Sequence, residues 1–123
     1  MKQNPSLRKA NEEARECIAQ IVLFDLSDPR LSMVTITSCE VTPDKSICNV
    51  FYVADADKRD GVASAFEKAG GHIRSLMAQK LGWRITPELR FILDASADEA
   101  QRIAIALAKE EKRLQSLREQ SND

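Results

Sequence analysis

The residues best suited to chemistry lie in Ala69-Gly70-Gly71-His72-Ile73-Arg74, within a basic third of the chain. Residues 58–90 hold seven basic side chains and three acidic ones, whereas residues 1–57 hold six and nine, and residues 91–123 five and seven. The whole chain has 18 basic and 19 acidic residues, net −1. A polyanion would therefore meet one cationic face, not a globally basic protein. Apolar residues at Val62, Phe66, Ala69, Ile73, Leu76 and Met77 have the spacing of a helix with one buried stripe. Two adjacent glycines inside such a run cost about 0.8–1 kcal/mol each relative to alanine. They predict that the helix is interrupted, as a kink, at Gly70-Gly71. A restarted helix there would turn unpaired backbone N–H groups toward a phosphate. The same glycines also read as a helix C-cap before a second short helix, or as a packing notch. The cations around the break are Arg59, Lys68, Arg74, Lys80, Arg84 and Arg90, and Arg30 of Asp28-Pro29-Arg30-Leu31 is expected to join them through the fold.

Catalysis fits these residues poorly. The one histidine, His72, falls on the polar face of the helix with Lys68, Ser75 and Gln79 and reads as a solvated side chain. A Cys-His pair would need Cys17, Cys39 or Cys48 beside it, yet Cys17 reads as a buried helix residue and the others as strand residues. One histidine and three scattered cysteines give no catalytic set, no metal site and no cofactor. Three cysteines without C-x-x-C spacing, together with the absence of a signal-peptide core or a run long enough to span a bilayer, predict a reduced, cytoplasmic protein with no membrane partner.

The elements that must position the basic face follow from periodicity. Leu7, Ala10, Ala14, Ile18, Ile21 and Val22 predict a first helix over residues 7–24, with Pro5 suited to its first turn and Asp28-Pro29 beyond its end. Val34-Thr35-Ile36-Thr37 and residues 47–53 predict strands. Pro43 excludes a two-residue hairpin loop, so a four-residue loop at Thr42-Lys45 is expected, pairing Cys39 with Cys48 as free thiols. Residues 55–61 read as a polar linker, residues 62–81 as the kinked helix, and Leu89-Leu93 as a third strand. Ser96 and Glu99 predict a capping box for a last helix that buries Ala100, Ile103 and Leu107. Beyond it, residues 109–123 read as a charged, partly disordered tail to a domain spanning residues 1–108. The order is α-β-β-α-β-α, an α+β fold with helices on one face of a small three-stranded mixed sheet.

In order and spacing, several segments resemble the ribosome-binding factor A family. They are Asp28-Pro29-Arg30-Leu31, Val34-Thr35-Ile36-Thr37, Val41-Thr42-Pro43-Asp44, Val50-Phe51-Tyr52-Val53, the Ala69-Arg74 stretch, and Leu81-Gly82-Trp83-Arg84-Ile85-Thr86-Pro87-Glu88-Leu89-Arg90-Phe91, closed by Asp94 and Ser96. The resemblance implies a KH-like domain of type II topology, with Ala69-Gly70-Gly71 matching the family's Ala-x-Gly kink. It further implies a monomeric, non-enzymatic factor that binds free small ribosomal subunits and assists late maturation of 16S rRNA, notably in the cold. No small-molecule substrate is implied. Combined with the charge pattern, it makes Arg30, Lys68, Ala69, Gly70, Gly71, Arg74, Lys80 and Arg84 the expected RNA-binding set. The competing expectation is a KH-like module that docks a ribosomal protein without touching RNA.

Overall fold

A computed structural model describes residues 5–121. Helix α1 (Pro5–Gln20) runs into a π-helical turn at Ile21–Asp25, and a 3-10 turn at Pro29–Leu31 leads to strand β1 (Thr35–Val41). Strand β2 (Ile47–Val53) is followed by a 3-10 turn at Ala56–Lys58, helix α2 (Arg59–Leu81), strand β3 (Glu88–Leu93) and helix α3 (Ser96–Ser121). The sheet order is β1-β2-β3, with β1 antiparallel and β3 parallel to β2, which is the expected mixed sheet. No helix among the described residues is long and apolar enough to cross a membrane.

Helices α1 and α2 cover one face of the sheet. Ala14, Ile18 and Ile21 from the first helix and turn, and Val62, Phe66, Ile73 and Met77 from α2, are buried with Cys48, Val50 and Tyr52 of β2. Such alternation is what one buried sheet face requires. Asn11 is the buried polar residue of this core among the described residues, and its Oδ1 accepts from the Val41 N–H at 2.7 Å, tying α1 to the end of β1. The free thiols Cys39 and Cys48 lie on the same inner face.

Four local expectations need correction. The hairpin loop has four residues, but it is Pro43–Ser46: the Thr42 N–H donates to the Ile47 carbonyl at 2.9 Å. Asp44 Oδ1 accepts from Thr42 Oγ1 and from the Ser46 N–H and hydroxyl, so this carboxylate organises the turn. The loop therefore sits one residue later than expected, so that Cys39 faces Val50 and Cys48 faces Val41. The two thiols are diagonal neighbours. Second, α2 begins at Arg59, inside the expected linker, and continues through Gly70 and Gly71, neither of which has a positive φ. It ends at Gly82, the left-handed cap (φ 62°), whose N–H donates to the Ala78 carbonyl. Third, α3 is capped by Asp94, whose carboxylate accepts from the Ser96 N–H and hydroxyl, in place of a Ser96-Glu99 box. Fourth, α3 does not bury its apolar stripe: Ile103 and Leu107 are 55% and 66% exposed, and the helix continues through residues 109–121.

Candidate nucleic-acid interface

The helical run through Gly70-Gly71 means that no restarted helix offers unpaired N–H groups there. What the glycines do is keep one side of α2 free of side chains. A Cβ at position 70 would lie 3.8 Å from Phe91 Cε2, and one at position 71 would meet nothing within 4 Å. None of the three sequence readings of this pair is observed: the helix neither breaks nor caps here, and no close crossing by the hairpin requires the glycines. Gly70 and Gly71 line a cleft of about 460 Å³ between α2 and β3, with Tyr52, Phe66, Leu89 and Phe91 as its apolar lining. Phe66 and Phe91 stack there at 4.2 Å, with 6° between their planes.

The expected cations do not form one patch. Arg74 lines the cleft and donates to the Thr86 carbonyl at 2.8 Å, pinning the segment before β3 to α2. Lys80 pairs with Asp25 at 3.2 Å, and Arg59 pairs with Asp98 at 2.6 Å, where it joins α2 to the start of α3. Lys68 and Arg84 are exposed. His72 is exposed as well, as its place on the polar face required.

Arg30 stands elsewhere, at the turn between α1 and β1. Its guanidinium grips the Asp28 carboxylate with Nε at 3.1 and 3.2 Å from the two oxygens, and its terminal nitrogen at 2.7 Å. The Arg30 N–H donates to the same carboxylate at 3.0 Å, as expected for a helix-stop aspartate closing a local turn. Those hydrogen bonds hold the Asp28 carboxyl down to about 2, and Lys68 on α2 adds to the effect through its charge. Arg30 and Lys58 line a shallow cavity of about 310 Å³ with Pro29, Ser32 and Met33. Lys58 had no individual signal in the sequence beyond its sign, because the segment around it read as linker. Arg30 and Lys58 thus lie where α2 begins beside the Pro29 turn, and Lys68, about two and a half turns further along α2, acts on the same carboxylate through its charge. Such an arrangement can hold phosphate oxygens beside an apolar ledge made by Pro29 and Met33, the latter 73% exposed.

A metal has no comparable support: among the described residues no group of three or more His, Cys, Asp or Glu could hold one. The hydrogen bond with Cys39 lowers the Cys48 thiol, which is fully buried in the core. Hydrogen bonding to Cys48, followed by burial, pushes the Cys39 thiol far up, and burial raises Cys17.

The chain matches the family model described as Ribosome-binding factor A over residues 6–107. It is 38% identical over 105 residues to Ribosome-binding factor A of Salinispora arenicola (strain CNS-205), covering 84% of this chain and 67% of that relative. With Ribosome-binding factor A of Hahella chejuensis (strain KCTC 2396) the identity is 31% over 125 residues, covering 95% and 93% of the two chains. The crystal structure of ribosome-binding factor A from Thermus thermophilus is similar at TM-score 0.66 and 22% identity, covering 71% of this chain and 94% of that one. A homology model of the Thermus thermophilus factor, fitted into a cryo-EM map of its complex with 30S, gives TM-score 0.56 at 22% identity and covers 68% and 92%. The shared fold is what these structural likenesses carry.

Proposed function

The chain belongs to the ribosome-binding factor A family, and on that premise we propose that it binds free small ribosomal subunits through their 16S rRNA. It acts without catalysis, as a monomeric cytoplasmic factor that assists late maturation of that RNA, notably in the cold. The observation that carries this reading is the family match across residues 6–107. The fit of the Thermus thermophilus factor into a 30S complex supports it.

The RNA-facing surface we assign is the end formed by Arg30, Lys58 and Lys68. These three cations belong to different elements and are exposed, with the Arg30 guanidinium shared with the Asp28 carboxylate. Arg84 is a further exposed cation, whereas Arg74 is bonded to the Thr86 carbonyl, Lys80 is paired with Asp25, and Ala69, Gly70 and Gly71 shape a helix wall. Affinity then arises from phosphate contacts and counterion release, with RNA recognised by shape. Photocrosslinking the protein to isolated small subunits tests this. The crosslinked peptides should include Arg30, Lys58 or Lys68 joined to 16S rRNA. Crosslinks running only to ribosomal proteins would refute direct RNA binding.

A further inference from the structure

We propose, on the RNA-binding reading above, that the cavity beside the Pro29 turn receives one unpaired nucleotide, its base against Met33 and its phosphate between Arg30 and Lys58. The cavity, about 310 Å³, is lined by Pro29, Arg30, Ser32, Met33 and Lys58. Its charged side chains are both cationic. Arg30 Cδ lies 3.6 Å from where a Cβ on Gly61 would stand, which sets the arginine stem against the first turn of α2, and Lys58 immediately precedes that helix. Arg30 shares the Asp28 carboxylate, whereas Lys58 has no ion-pair partner among the described residues. Asp55, Asp57 and Asp60 neighbour Lys58 in the chain but do not line the cavity. The lining therefore favours an anionic occupant.

Pro29 and Met33 decide between two forms of RNA. Leu31, between them, is buried in the core, but Met33 projects into solvent two residues before β1. A duplex cannot use that side chain. Its base faces are stacked inside, so it would bring only riboses and solvated phosphates to the thioether, and it is convex where this surface is hollow. An unpaired nucleotide can be splayed out, with its base on the apolar side and its phosphate left to the cations. Methionine sulfur makes favourable contacts with aromatic rings, and every base presents such a ring. The site thus takes unpaired RNA without choosing a sequence.

The test measures association of the intact chain with isolated small subunits. Met33→Ser should weaken it about twofold to tenfold, the range for one sulfur–ring contact, and leave the salt slope unchanged because no phosphate contact is lost. Met33→Phe should restore the affinity, which separates stacking from a disturbance of the turn. Both variants should melt like the parent, since position 33 is exposed. Photo-methionine at position 33 should crosslink to a 16S rRNA nucleotide that 2′-hydroxyl acylation marks as unpaired in the free subunit. Undiminished binding by Met33→Ser, a Met33→Phe variant as weak as the serine one, or crosslinks to paired nucleotides would overturn the proposal, while a slope loss in Lys58→Ala would leave the phosphate contacts standing. Crosslinks to ribosomal proteins alone, with no slope loss in Lys58→Ala, would overturn direct RNA binding and this site together.

Discussion

Asp28 and Arg30 show how much of a site depends on partners that composition does not reveal. Sequence chemistry identified the aspartate as a turn former and the arginine as a cation. The fold adds that Arg30 grips the carboxylate with its guanidinium and its backbone N–H, which places the Asp28 carboxyl at about 2. The lowered value means that this interaction stabilises the folded turn fully above the ordinary aspartate range and is lost as pH falls through about 2. Carboxyl-carbon NMR should therefore find an Asp28 midpoint near 2 in the intact chain. In Arg30→Ala it should return toward about 3.9. A wild-type midpoint already near that unperturbed value would mean the grip does not persist in solution. The cysteines carry a parallel lesson. Cys17 as a buried helix residue and Cys39 and Cys48 as free strand thiols were legible, but the pairing slipped, because the Asp44 side chain organises a loop at Pro43–Ser46, one residue later than expected, which sets Cys39 opposite Val50.

Among the elements, β2 and the order of strands and helices were readable because alternation and three-to-four spacing report a buried face directly. Continuity through Gly70-Gly71 was not readable. Glycine propensity argues for a break, but buried Phe66, Ile73 and Met77 anchor α2 on both sides of the pair and override it. This reverses the expectation that the pair must bend the backbone. Since a Cβ at Gly71 meets nothing within 4 Å, Gly71→Ala should raise stability by about 0.4–1 kcal/mol in thermal or urea unfolding. A destabilised Gly71→Ala protein would mean the residue leaves helical geometry in solution. The last helix failed differently: its apolar stripe is real, yet Ile103 and Leu107 face solvent, since α1 and α2 already cover the inner face. Deleting residues 110–123 should therefore leave the melting temperature nearly unchanged. A large drop would show that Leu114 and Leu117, at 41% and 49% exposure here, dock on the fold.

For the molecule as a whole, charge is sorted although its sum is close to zero. The basic third seen in the sequence is divided in space: Lys58 and Lys68 lie on the side of Arg30; Arg59, Arg74 and Lys80 are bonded to Asp98, the Thr86 carbonyl and Asp25; and Arg84 and Arg90 are exposed. The sorting was invisible in the sequence because Glu67 and Lys68 are neighbours in the chain yet serve different sides of α2. Exposed charges contribute little to stability, so Lys58→Ala with Lys68→Ala should lower subunit affinity with hardly any change in melting temperature. The central claim, that this side binds rRNA phosphates, is tested most directly by the salt dependence of association with isolated small subunits. Each lost phosphate contact should reduce the log–log slope by about 0.7–0.9, so the double variant should flatten it by roughly 1.4–1.8. Alanine at Lys109, Lys112 and Arg113 in α3 should leave the slope as it is. An unchanged slope in the double variant, or equal flattening by the α3 substitutions, would contradict the account.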